Sequence, residues 1–267
     1  MDIENAVCIV TGASSGIGAA SARRLAQEGA TVVLAARRAE RLRVLADELP
    51  RALAVPTDVT DAAQVRRLVE RSVETYGRVD VLVNNAGQGL HVPLVDVDAD
   101  DLRAVFDLNV VAPLTMMQAV LPAMSGQAGA DPKVHRQAEA RSGGAIVNIS
   151  SATSLRVFPG LGAYSATKAA LNLISQVARL EFAKQGVSVS VVYPALTATE
   201  FHKNLRAGGL ASGARSITPD PPELAAEAIL HAIRSGAAHV LVGDPPREIE
   251  SGGDVDWPAM LARQLPR

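Results

Sequence analysis

Tyr164 and Lys168 stand four residues apart in the stretch AYSATKAALNLISQVARLEFAKQG, at the start of an apolar run with helical spacing. Residues i and i+4 share one helix face, so the phenol and the ammonium can meet. Packing plus a solvated lysine accounts for an isolated pair of this kind, which is common on helices. The chemistry open to the pair is proton transfer. A free tyrosine titrates near ~10, too high for an efficient base at neutrality. Lowering it by ~3 units takes about 4 kcal/mol. A positive charge ~4 Å away at an effective dielectric of ~20 supplies about 4 kcal/mol. One lysine is of the right size, and arginine would carry the charge without the same compact contact.

A second constellation is the turn TGASSGIG, residues 11–18, which follows a strand-like run and opens a helical one. Gly12, Gly16 and Gly18 permit a tight turn and a close backbone approach to a pyrophosphate. The helix start at Ile17 offers free N–H donors and the positive dipole end, and Ser14 and Ser15 can cap the helix or touch phosphate. After the second strand-like run, a site for NAD(H) would carry an acid for the ribose 2′-hydroxyl. The chain instead reads LAARRAERL, with Arg37 and Arg38. Two arginines at a helix start oppose its dipole, at about 0.3 kcal/mol or more each. A bound 2′-phosphate would turn that penalty into attraction, so NADP(H) is expected over NAD(H). The alternative is that the arginines are solvated or pair with Glu40 or Glu48.

The elements that must position these groups alternate along the chain. Strand-like runs lie at 6–11, 31–35, 52–56, 79–84, 144–149, 187–193 and 238–242. Most are continuous and Val-rich, as in parallel strands covered on both faces. Helical spacing occupies 17–28, 39–49, 61–76, 99–124, 163–185 and 221–235, with start signals at Asp61 and Pro221 and glycines at 29, 77, 186 and 236 where helices end. Right-handed crossovers between such units give an α/β fold of Rossmann type. The expectation is a doubly wound parallel sheet of seven strands in order 3-2-1-4-5-6-7, helices on both faces, in one domain spanning 1–267. Residues 125–143 read as a surface insertion at the edge away from the ligand. Residues 195–222 follow the sixth strand on the ligand edge and read as a substrate lid. The Pro/Gly-rich tail, 244–267, has no clear pattern.

Four motifs in order, TGASSGIG, NNAG (84–87), NISS (148–151) and YSATK (164–168), resemble the short-chain dehydrogenase/reductase family over about residues 5–243. The resemblance implies a catalytic Asn109, Ser151, Tyr164 and Lys168. Ser151 lies 13 residues before Tyr164, matching the family's spacing better than Ser150, and Asn109 comes from FDLNVVAP. It implies that Asp58, with Val59, meets the adenine. Asn84, Asn85, Ala86 and Gly87 would line the cofactor. Pro194, Thr197 and Thr199 would contact the cofactor, Thr199 at the nicotinamide carboxamide, with Ala195 standing where glycine is usual. In reduction, Ser151 and Tyr164 would hold the carbonyl oxygen and Tyr164 would donate the proton. Lys168 would relay a replacement through the ribose and water, and Asn109 would hold that water near a helix kink. The implied activity is NADP(H)-dependent interconversion of a ketone or aldehyde and an alcohol by a homodimer or homotetramer. A non-catalytic NADP(H)-binding sensor or scaffold is the alternative, and it has no need of the proton relay.

Bulk properties narrow the classes. The chain has 267 residues, a formal charge of −2 and 3% aromatics, which gives no basic footprint or stacking platform for nucleic acid. Its one cysteine, Cys8, excludes an internal disulfide framework and suits a reducing cytoplasm. The start MDIENAVCIV reads as no signal peptide, no apolar run reaches the ~18 residues of a membrane span, and no spacing suggests a metal. His91, His202, Lys203 and Arg206 are further candidates to face substrate. Their plainer reading is solvated loop residues. Phe201, Leu205 and Leu210 read as lid packing, and Leu155, Val157 and Phe158 as pocket wall.

Overall fold

The computed structural model describes residues 1–125, 143–209 and 218–243, together with Pro245 and the backbone of 247–249. The expected insertion at 125–143, the lid segment that includes Leu210, and the expected tail therefore fall largely outside the described residues.

The strands are β1 (Val7–Thr11), β2 (Thr31–Ala36), β3 (Ala52–Pro56), β4 (Val81–Asn84), β5 (Gly144–Ile149), β6 (Val187–Tyr193), β7 (His239–Leu241) and β8 (Arg247–Ile249). They hydrogen-bond in the order β3-β2-β1-β4-β5-β6-β7-β8. The first seven run parallel in the expected order. The sheet then continues into β8, antiparallel to β7, in the tail that carried no readable pattern.

The helices are α1 (Gly16–Gln27), α2 (Ala39–Glu48), α3 (Ala62–Tyr76), α4 (Ala99–Phe106), α5 (Ala112–Met124), α6 (Gly162–Phe182) and α7 (Pro222–Ser235). Side-chain alternation along each strand feeds two cores. Cys8, Val10, Val32, Leu34, Val81 and Val83 pack with α1 and α7, while Val7, Ile9, Val33, Leu82 and Ile146 pack with α3, α5 and α6. Burial on both faces is why these strands read as unbroken apolar runs. Asp61 caps α3, accepting from the Ala63 and Gln64 N–H groups at 2.8 and 3.2 Å.

The run 99–124 is not one uniform helix. Between α4 and α5 the backbone widens into a π-helical turn, Asp107–Val111. Pro113 explains it: lacking an N–H, it cannot donate to the Asn109 carbonyl, and in an α-helix its ring would press on that group. By length and composition Ala99–Met124 could cross a membrane. The shorter apolar runs expected from the sequence miss this window. Its Val105, Val110, Met116, Met117 and Val120 are buried within the protein, as in a core helix.

Parallel order puts the C-terminal ends of β1 to β7 on one edge. The glycine turn, Arg37 and Arg38, the NNAG segment, Ser150 and Ser151, and Pro194 all emerge there, at the ends of β1, β2, β4, β5 and β6.

Candidate active site

Four predicted residues meet at this edge. Ser151 follows β5, and its side chain lies beside the Tyr164 phenol, near enough to favour the ionised form. Its Oγ also accepts from the Thr153 N–H and hydroxyl at 3.2 and 3.0 Å. Ser150 turns the other way, toward the Ser154 hydroxyl and the Lys168 carbonyl. Tyr164 and Lys168 lie on one face of α6, both buried. The Lys168 ammonium donates to the Ile149 carbonyl at 2.8 Å and lies 6.0 Å from the Tyr164 ring centre.

Asn109 sits in the π-turn and is fully buried. Its Nδ2 donates to the Gln88 carbonyl at 2.9 Å and the Thr167 hydroxyl at 3.0 Å, while its Oδ1 accepts from the Gln88 N–H at 3.0 Å. The Thr167 hydroxyl donates in turn to the Tyr164 carbonyl at 2.7 Å. The π-turn is thus tied to the start of α6 through Thr167, a residue the sequence reading missed. Gly87 lies between the two polar groups: a Cβ there would come within 3.1 Å of Asn109 Oδ1 and 3.5 Å of Lys168 Nζ.

The electrostatics differ from the sequence expectation. Burial pushes the Tyr164 phenol up to about 12, and the neighbouring Ser151 side chain opposes this only in part. Burial also pulls Lys168 down to about 8. The expected lowering counted charge, that of the lysine with oxidised nicotinamide adding to it in the alcohol direction, and left out burial. Here His91 and Phe201 pack on the phenol ring, with centres at 5.6 and 5.8 Å, and desolvation wins.

The depressed Lys168 value has a consequence for stability. The unfolded chain binds a proton here more tightly than the folded one, so this contribution is present above the unfolded value of 10.5 and is lost as pH falls through about 8. Lys168→Met abolishes the titration. Between about pH 10 and pH 7.5, wild type should lose about 2–3 kcal/mol relative to that variant in denaturant melts. A gap independent of pH would show that the ammonium is not desolvated.

The dinucleotide fit rests on the glycine turn. A Cβ on Gly18 would overlap the Gly12 carbonyl, and one on Gly12 would lie 2.8 Å from Asn85 Nδ2, with φ at +66°. The turn therefore takes no side chains and leaves its backbone open to a ligand. Asn85 Nδ2 holds it by donating to the Thr11 carbonyl at 2.9 Å. The Thr11 hydroxyl accepts from the Asn85 and Ala86 N–H groups at 3.0 and 3.1 Å. Ser15 at the start of α1 makes no capping bond, and the first turn holds no acid, so its N–H groups remain available to an anion. Ile17 packs against the core beneath.

Arg38 reaches this turn. It donates to Ser14 Oγ at 3.0 Å and Ser15 Oγ at 2.6 Å, and with Arg41 it grips Glu200 at 2.9 and 2.6 Å. Those two arginines hold the Glu200 carboxyl down to about 2. Arg37 is exposed and, among the described residues, makes no hydrogen bond or ion pair. Glu40 and Glu48 pair with Arg43 and Arg23 instead. Arg41 and Glu200 were absent from the sequence reading. Arg41 continues the basic run one turn on, but nothing local marks Glu200 as its partner. A cleft of about 470 Å³ opens here, lined by Ser15, Gly16, Arg23, Thr199, Glu200 and Lys203.

Of the other expected contacts, Asp58 follows β3 at the same edge, its carboxylate accepting from the Thr60 N–H and hydroxyl at 3.0 and 2.7 Å, and Val59 is buried. Asn84 faces inward, donating to Asn148 Oδ1 at 2.9 Å in a buried network with Ser175. The Pro194 carbonyl accepts from the Ala152 N–H at 2.9 Å. Thr197 donates to the Ala195 carbonyl at 3.2 Å and bridges to Asp220. Thr199 caps a short helical turn, Glu200–Lys203, and its methyl rests on Gly16, where a Cβ would lie 2.9 Å away. The start of the segment after β6 thus lies against the glycine turn. Cys8 is buried in β1, and His239 bonds the Tyr193 hydroxyl at 2.8 Å, so both are part of the packing.

A sequence profile of the short chain dehydrogenase family matches residues 6–209. An uncharacterized oxidoreductase of Staphylococcus aureus (strain MW2) is 35% identical over 240 residues, 89% of this chain and 94% of that one. A short chain dehydrogenase from Burkholderia cenocepacia J2315, solved with NADP, is 31% identical with a TM-score of 0.73, covering 91% of this chain and 90% of that one. A short chain dehydrogenase/reductase from Burkholderia phymatum, solved with NAD, is 26% identical with a TM-score of 0.78, covering 91% and 90%. With the glycine turn, the NNAG segment and the Ser151–Tyr164 contact on one sheet edge, these matches make the chain an oxidoreductase-type member of the short chain dehydrogenase family.

Proposed function

We propose that this protein is an NADP(H)-dependent oxidoreductase that interconverts a ketone or aldehyde and an alcohol, with Tyr164 as general acid and base. The observation that carries the reading is the buried pair Tyr164 and Lys168 on one face of α6, beside Ser151 and with Gly87 leaving room at the ammonium. Bound nicotinamide would deliver or take up the hydride. The protein's own residues handle the oxygen. Ser151 and Tyr164 present two hydroxyls to one carbonyl oxygen, which orients it and stabilises the negative charge it gains. The protonated Tyr164, held as phenol well above neutrality, is ready to donate in the reductive direction. Lys168, anchored on the Ile149 carbonyl, favours the phenolate that remains. Asn109 and Thr167 hold the start of α6 against the π-turn, which fixes the phenol in place.

The preference for NADP(H) over NAD(H) is supported by Arg38 and Arg41 beside the glycine turn, where an NAD(H) site would have an acid. The protein is further proposed to work in the cytoplasm as a single domain and as a homodimer or homotetramer. Exposed Leu173, Val177 and Leu180 form one apolar stripe on α6 that suits the latter. A panel of aldehydes and ketones, followed by nicotinamide absorbance with each cofactor, tests the reading. Turnover with NADPH over NADH is expected. Tight NADPH binding with no turnover of any carbonyl would overturn the assigned reaction.

A further inference from the structure

We propose that His91 determines substrate specificity by hydrogen-bonding a second, uncharged oxygen of the carbonyl substrate. The inference rests on the reaction class proposed above. His91 follows the NNAG strand, and its main chain is pinned to the lid: its N–H donates to the Ala207 carbonyl at 3.1 Å. The ring stands edge-on to Tyr164, with centres 5.6 Å apart and planes at 62°. Phe201 and His202 enclose its other sides at 6.4 and 6.0 Å.

Both ring nitrogens are buried, and among the described residues neither meets a partner at hydrogen-bond geometry. The Gly209 backbone pulls toward the charged form, but burial and the nearby His202 outweigh it, so the ring is held neutral. A neutral imidazole offers one donor and one acceptor. Buried polar groups in folded proteins are nearly always paired, so an orphaned pair of nitrogens beside the reactive phenol calls for a ligand.

The surroundings fit that ligand. A Cβ on Gly89 would lie 2.9 Å from His91 Nε2, 2.6 Å from Leu205 and 3.1 Å from Phe201, so only glycine there leaves the ring its place. Phe201, on the lid, covers Tyr164 and His91 together, which shields any polar contact made beneath it from water. The lid cations are directed elsewhere: Arg206 pairs with Asp101 at 2.6 Å, and Lys203 lines the cleft at the glycine turn. A carboxylate would therefore find no counter-charge from them, and a hydroxyl or carbonyl oxygen is the better match.

The test uses pairs of ketones of equal shape: 4-hydroxy-4-methyl-2-pentanone against 4,4-dimethyl-2-pentanone, and 2,5-hexanedione against 5-methyl-2-hexanone. Wild type should prefer the oxygenated member of at least one pair by about tenfold or more in kcat/KM, mostly through KM. His91→Phe should erase that preference, with a larger loss on the oxygenated member than on the apolar one, and His91→Asn should restore part of it. NADPH affinity, measured by fluorescence, should stay unchanged in both. Should His91→Phe fail to fold, His91→Leu replaces it, and the His91 ring resonances of wild type give an independent reading. They should shift with the hydroxylated ketone and stay put with its dimethyl analogue. Equal losses on both members of a pair, or an unchanged preference, would overturn the role of His91 and leave the reaction class standing. If wild type reduces neither member of either pair and its His91 resonances do not move, the inference is overturned. Failure with every carbonyl in the wider panel is what overturns the reaction class.

Discussion

Tyr164→Phe is expected to lower kcat by about 1,000-fold or more while leaving NADPH affinity within about threefold. The variant keeps the ring, so its packing against His91 and Phe201 at 5.6 and 5.8 Å is preserved. It loses only the hydroxyl that meets Ser151. The fall should appear in kcat rather than KM, because proton transfer occurs only on the way to the transition state. Ser151→Ala should cost less, and the double variant little more than Tyr164→Phe alone, since both groups serve one oxygen. In wild type, alcohol oxidation should quicken as pH rises, because that direction needs the phenolate and burial holds the phenol up to about 12. Lifting Phe201 off the ring would relieve part of that burial, so the apparent value in turnover should lie lower. Stopped-flow rates across pH, with cofactor affinity measured in parallel, check all of this. Retained turnover in Tyr164→Phe would assign the proton to another group. An equal loss of cofactor affinity would mark the tyrosine as structural.

How much of this was legible in the sequence depends on how local each signal is. Most of β1 to β7 could be read because strands covered on both faces are rich in apolar residues, and the start of α3 because Asp61 announces its own cap. The glycine turn was legible for the same reason: its demands fall on eight consecutive residues. The π-turn was legible only as the helix kink near Asn109 that the family resemblance implied, since 99–124 keeps helical spacing throughout and only Pro113 hints at the widened backbone. β8 was hidden because three residues at a sheet edge carry no periodicity. Arg37 and Arg38 are equivalent in sequence, but the entry into α2 sends only the second toward Ser14 and Ser15. The grip of Arg38 and Arg41 on Glu200 joins residues far apart in the chain, so no short window contains it. The phenol's raised value has the same origin. The lysine was visible four residues away, whereas the rings that desolvate Tyr164 come from two distant loops.

Arg38→Ala should raise KM for NADPH by about 30-fold or more and change KM for NADH by less than about threefold. Charge-assisted hydrogen bonds are worth about 1.5–3 kcal/mol each, and only the phosphorylated cofactor offers Arg38 an added anion. In this structure Arg38 divides its donors between Ser14, Ser15 and Glu200. The Glu200 carboxylate thus occupies guanidinium donors that a 2′-phosphate would require, while Thr199 beside it rests on Gly16. Phosphate binding to Arg38 must loosen its hold on Glu200, and the exposed ion pair, screened by water, gives way at small cost. Glu200→Gln should therefore lower KM for NADPH a few-fold and leave NADH unaffected, the opposite sign from Arg38→Ala. Added salt should narrow the difference between wild type and Glu200→Gln, since it screens the competing carboxylate. Initial rates with both cofactors at two ionic strengths separate these cases. An equal loss with NADPH and NADH in Arg38→Ala would mean that the arginine braces the glycine turn through Ser14 and Ser15 and reads no phosphate.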